Sequence, residues 1–197
     1  MMTLTGLRNL AVLTVTSPAD AARALVAMQF PREVLWTALF LAVILNTLLY
    51  SLSNMLAPAP SPFPALFGIP AVYLVIIGTG LVLSIYSIHW IGRMMGGQGS
   101  LDDVMTLIVW LQYMRIAVQV ATLILAVTVP VLAALLVLAA SLMGLWIMLN
   151  FVDQGLRLGS LGRAAVVLIG SVVAIAVLVS VLLTLVGGTL LGPAAYV

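Results

Sequence analysis

Cysteine and lysine are absent from the 197 residues, histidine occurs once, as His89, and charged residues make up only 6% of the chain. The missing cysteine excludes disulfides and thiolate metal centres, and a lone histidine leaves little from which to build a zinc site or a Ser/His/Asp triad. All seven positive charges are arginines, and they are scattered rather than clustered, so the basic patch that a nucleic-acid-binding face requires is missing. What is abundant is apolar surface. Hydrophobic residues account for 64% of the chain and the mean hydropathy is +1.33, whereas an ordinary soluble domain carries about 25% charged residues. The composition specifies an all-α membrane protein.

A hydrocarbon core of about 30 Å needs about 20 apolar helical residues, and five stretches meet that length. They run over about 34–55, 70–91, 104–127, 131–152 and 164–186, following a segment over 1–33. No polar loop separates the third from the fourth. The turn is expected at Val127 to Val131, because Pro130 breaks a helix and disfavours one at Val129. A single helix over the 49 residues from Val104 to Val152 would be about 73 Å long, more than twice a bilayer.

Charge asymmetry supplies an orientation. Arg8, Arg23 and Arg32 precede the first span, Arg93 lies in the second loop, and Arg157 and Arg163 lie in the fourth, while the other loops and the C-terminal tail hold none. With five spans all six fall on one side, which the positive-inside rule makes cytoplasmic, leaving the C-terminus external. A cleavable signal is not expected, since the apolar stretch from Leu10 to Val15 is only six residues. Thr16-Ser17-Pro18-Ala19-Asp20 instead reads as a helix start, with Ser17 as N-cap, Pro18 at the first helical position and Asp20 closing a capping box. The short amphipathic helix that follows, with Ala21, Ala22, Leu25, Val26 and Met28 apolar and Arg23 at its polar edge, is expected to lie in the headgroup layer. In the first external loop, Pro58, Pro60, Pro62 and Pro64 favour a stiff, extended spacer.

Arg115 is the one charge inside a span, where a guanidinium costs roughly 2.5–3.5 kcal/mol. Eleven Val, Leu and Ile residues between Val104 and Leu125 offset it at about 0.3–0.6 kcal/mol each. Gln112, Arg115, Gln119 and Thr122 share about 80° of the helix circumference, a polar stripe expected to face the bundle interior or a water-filled cleft. The partners available to Arg115 by composition are Asn46, Ser84, Tyr86, Asn150 and, at a stretch, Asp153. Such a stripe serves either interhelical packing or an anion or lipid-headgroup site. Ser100-Leu101-Asp102-Asp103 spells a second capping box, and its two acids are expected to serve the helix start rather than a metal. His89 and Trp90 fit an interfacial belt, with Trp36, Tyr50 and Trp146 as further anchors. Ala176, Ser180, Thr184 and Gly188 recur every four residues, a small-residue face that permits close helix approach; Gly78, Gly80, Ala140 and Gly144 permit the same. No catalytic, cofactor or metal site is expected.

The order of these features resembles the Yip family (Ypt-interacting protein, Yip-one domain) in its short bacterial form. The Ser17-Pro18 helix start with Arg23, five spans, a Gly96-Gly97-Gln98-Gly99-Ser100 turn followed by acids, and the passage from Trp146–Asn150 through Gly155 and Ser160 to Arg163-Ala164 carry the likeness from about Ser17 to Val186. The resemblance implies a non-enzymatic membrane scaffold; in eukaryotes the family is associated with the early secretory pathway, Rab-type GTPases and membrane shaping. Only about 33 residues precede the first span, where eukaryotic members carry a long cytosolic region, and this argues against GTPase binding. The expected protein is an accessory subunit in a bacterial inner membrane, contacting lipid and another integral membrane protein or complex. The rival is a small anion or lipid transporter or channel built on Arg115.

Overall fold

The computed structural model describes residues 4–56 and 69–190, with the side chains of residues 4, 183 and 185–190 outside that description. The alternating-proline segment, the C-terminal tail and the side-chain environment of Gly188 therefore lie outside the described residues. Among the described residues there are seven helices: α1 (Leu4–Thr16), α2 (Pro18–Ala27), α3 (Arg32–Leu56), α4 (Pro70–Met94), α5 (Leu101–Thr128), α6 (Pro130–Leu156) and α7 (Leu161–Leu190). The last five are long and apolar enough to cross a membrane. Each contains one of the stretches read from the sequence, extended by a few residues because polar ends continue the helix past the hydrocarbon boundary.

Val129 alone separates α5 from α6, with Pro130 at the first position of α6, where its missing N–H costs nothing. At the opposite end of that hairpin, the Ser100 capping box forms in both directions: the Asp103 amide donates to Ser100 Oγ and the Ser100 amide to Asp103 Oδ2, each at 3.0 Å. Ser17 behaves differently. It precedes α2 with Pro18 at the first position but makes no side-chain cap bond, and Asp20 turns instead to Arg23, one helical turn on. A long cation within reach outcompetes the backbone amide for that carboxylate.

The five long helices form a ring in the order α3, α4, α7, α6, α5, closed by α5 against α3, with α4 also reaching across to α5 and α6. Arg32 Nε donates to Asp102 Oδ1 at 2.9 Å, bringing the starts of α3 and α5 together. The turn between α4 and α5 crosses the end of α6, where the Gln98 and Gly99 amides both donate to the Leu156 carbonyl, at 2.8 and 3.3 Å. The starts of α3, α5 and α7 and the ends of α4 and α6 thus meet at one charged end, which holds all five acids and five of the seven arginines.

That end is also where the core sits. Leu35 and Leu39 of α3, Ile85 and Ile88 of α4, Val104, Met105, Ile108 and Val109 of α5, Val152 and Leu156 of α6 and Ala164 and Val167 of α7 are buried together, Leu156, Ala164 and Val167 completely. The far half is different in kind. Beyond Thr47 on α3, Gln112 on α5 and Ser171 on α7, and before Ile85 on α4 and Ile147 on α6, Ala133 is the single buried residue among those described.

The short helix α2 does not lie free in a headgroup layer. It docks on α6 and α5, burying Ala21, Ala22 and Leu25 against Leu107, Ile147 and Phe151. Its apolar stripe fills a groove between two spans. Helix α1, over a stretch too short and mixed to be read as a span, is held by Trp110, whose Nε1 donates to the fully buried Thr14 Oγ1 at 2.9 Å.

The glycine-rich crossing is testable. A Cβ on Gly99 would stand 1.9 Å from the Gly155 carbonyl oxygen, and that neighbour is backbone. Gly99→Ala is expected to cost about 3 kcal/mol or more. Gly80, in mid-helix with open space around it, gives the opposite expectation, a gain of about 0.5–1 kcal/mol for Gly80→Ala. Thermal unfolding of the two variants in mild detergent checks both, and equal melting temperatures would refute the close crossing.

Candidate functional site

Helix α5 has 28 residues, and Arg115 stands fourteen past its first, about 21 Å along a helix about 42 Å long. Gln112 is buried, Gln119 and Thr122 are half-buried, and Arg115 is exposed. The stripe therefore holds as a line on the helix, with its three neutral members packed and its charge open. The partners suggested by composition are engaged elsewhere. Asn46 Nδ2, Ser84 Oγ and Asn150 Nδ2 each donate to a carbonyl of their own helix, at Ala42, Gly80 and Trp146. These i to i−4 bonds satisfy a buried polar group without needing a neighbour. Asp153 is a correction of the same kind. It lies at the charged end, where its Oδ1 accepts the Ser160 amide at 2.8 Å and its Oδ2 accepts Gln154 Nε2 at 2.9 Å. Tyr86 is exposed and makes no hydrogen bond with Arg115.

Two groups do lie near the stripe. The Arg115 charge is within electrostatic reach of the Tyr73 hydroxyl on α4. Tyr73 itself stacks on Tyr50 of α3, ring centroids 4.0 Å apart and planes 2° from parallel. One turn along α5 from Arg115, Gln119 Oε1 is buried without a hydrogen-bond donor.

The second polar constellation escaped the sequence. Asp20 pairs with Arg23, Arg23 Nη1 donates to Gln154 Oε1 at 3.3 Å, Gln154 holds Asp153, and Asp153 caps the start of α7 through Ser160. This chain ties α2 to α6 and α7. The separation of 131 residues between Arg23 and Gln154 leaves no local signal; only the Gly-Ser-Leu shared by Gly99-Ser100-Leu101 and Gly159-Ser160-Leu161 hints that a second acid is needed at Ser160.

The remaining features distribute unevenly. His89 is half-buried with Nδ1 unpartnered, and Trp90 beside it is exposed. Trp146 sits ten residues from the end of α6, about 15 Å in, too deep to anchor at the charged end's interface. Ala176, Ser180 and Thr184 are exposed, as is most of the described far half of α7. Gly78 lets Val43 of α3 approach, while Gly80 and Gly144 meet nothing. Among the described residues, no three His, Asp or Glu side chains group as metal ligands would.

Removing the Asp153 carboxylate should uncap α7 and release α2. Asp153→Ala is expected to destabilise the fold by about 2–3 kcal/mol, as for a buried acceptor of two hydrogen bonds. Hydrogen exchange should rise at both Ser160–Ala164 and Pro18–Ala27; a rise at the first segment alone would break the proposed link to α2.

The model of the Yip1 domain matches residues 12–183, a span that takes in the end of α1, all of α2 and the stripe on α5. No curated protein and no solved structure matches the chain. With five apolar helices of spanning length in the expected order and a family match over most of its length, the chain belongs to the Yip1-domain family.

Proposed function

We propose that the protein is a non-enzymatic integral-membrane scaffold or accessory subunit of a bacterial inner membrane, with its N-terminus cytoplasmic and its C-terminus external. The observation that carries this reading is the exposure of Ala176, Ser180 and Thr184 on α7. Small residues at four-residue spacing let another helix approach backbone to backbone, the contact that drives association in lipid. The occupant is a transmembrane helix of another integral membrane protein.

The charged groups support a non-catalytic role. Asp103 caps α5, Asp20 and Asp102 are in ion pairs, and Asp153 holds the start of α7, so four of the five acids serve the fold. The rival channel reading meets a packed barrier, because Phe151, Leu156 and Val167 fill the bundle at the charged end. The six arginines gathered by topology support the orientation.

The absence of cysteine makes single-cysteine chemistry clean. Ser180→Cys should cross-link in native membranes to a heterologous membrane protein that also co-purifies at fixed stoichiometry, while Phe40→Cys, exposed on α3, should not. Identical adducts from both positions would defeat the docking face. In intact cells an impermeant maleimide should label Thr128→Cys and spare Arg157→Cys; the reverse pattern would invert the orientation.

A further inference from the structure

Between Arg115 and the end of α5, exposure follows the helix period. At about 100° per residue, the exposed Ala117, Val120, Ala121, Ile124, Val127 and Thr128 all fall about 120–240° away from Arg115. The half-buried residues, among them Gln119, Thr122 and Leu125, occupy the remaining sector. Arg115 is at the centre of that inward sector, directly opposite Ile124, and yet is exposed. An exposed side chain on the packed side of a helix lies beside an opening within the bundle. The distribution of the core agrees, since the far half buries almost nothing among the described residues.

Among the described residues, nothing neutralises the charge in that opening. Arg115 makes no hydrogen bond or ion pair among the described residues, and every acid stands at the charged end. The nearest on its own helix, Asp103, is twelve residues away, about 18 Å. A second copy in the same orientation brings its acids to the same wrong level. The charge calls for an anionic complement from outside the described residues. It must also suit an inward sector of α5 that carries Gln119 and Thr122 among apolar residues. A phosphate with hydrocarbon attached fits that description. Gln119 Oε1, buried and without a donor, suits a hydroxyl of the same headgroup.

We infer that the far half of the bundle holds a binding site for the headgroup of an anionic phospholipid, with Arg115 pairing with the phosphate and Gln119 offering a further hydrogen bond. The acyl chains leave along the exposed apolar faces of the far half. This site is independent of the docking face on α7.

Native mass spectrometry of the purified full chain from a neutral detergent tests the inference, with phosphatidylglycerol, phosphatidylcholine and inorganic phosphate as probes. The expected result is one phosphatidylglycerol retained per chain at low excess, with phosphatidylcholine held at least tenfold more weakly, because its choline cation already neutralises the phosphate and brings no hydroxyl for Gln119. Arg115→Gln should abolish the preference and Arg115→Lys should keep part of it, while Arg93→Gln at the charged end should leave it unchanged. Equal retention of the two lipids by the unaltered chain overturns the inference without any variant. So does an undiminished preference in Arg115→Gln. Displacement by millimolar inorganic phosphate would make the ligand a free anion and overturn the lipid assignment.

Discussion

The Leu156 carbonyl, accepting two amides from the turn between α4 and α5, is the contact on which the rest of the bundle depends. In a membrane the hydrophobic effect does not hold spans together, since lipid tails are as apolar as leucine, and close packing and hydrogen bonds must do so. Here the two meet. Gly99 lies against the Gly155 carbonyl, a Cβ on Gly92 would strike the Leu156 side chain, and one on Gly155 would strike Leu107. Three spans, α4, α5 and α6, are thereby brought into close contact at one level. The buried residues of α3, α4, α5, α6 and α7 gather around that level, and the packing thins with distance from it.

The two helix starts on either side of this crossing are built alike. Ser100 and Ser160 each follow a glycine, precede a leucine and donate their amide to an aspartate carboxylate. For α5 the acid is local; for α7 it is Asp153, from the preceding helix. The difference has a structural effect. A local box stabilises one helix, whereas a borrowed acid fixes the angle between two, and through Gln154 and Arg23 it fixes a third.

Much of this was readable from the sequence because the signals are local or additive. Apolar run length predicts five spans, Pro130 predicts the turn, and Ser100 with Asp103 predicts the cap that forms. The failures share a cause. Ser17 and Asp20 fit the same cap pattern, but Arg23 three residues on takes the carboxylate. The docking of α2 leaves no local trace, because its partners, Leu107, Ile147 and Phe151, are more than 80 positions away. Periodicity placed Gln112, Arg115, Gln119 and Thr122 on one line but carried no information about how far the neighbouring helices stand from it. Helical spacing encodes direction; separation is a property of the assembled bundle.

The hairpin of α5 and α6 has one further consequence. From Val104 to Thr128 the apolar length of α5 is 25 residues, about 37 Å, against a hydrocarbon thickness of about 30 Å. The Val129 link is itself apolar and offers no polar cap that would favour protrusion into water. A tilt of about 35° reconciles the lengths, near the upper limit for membrane helices. The hairpin's excess length thus matches the protein to a thick bilayer or bends a thin one around it.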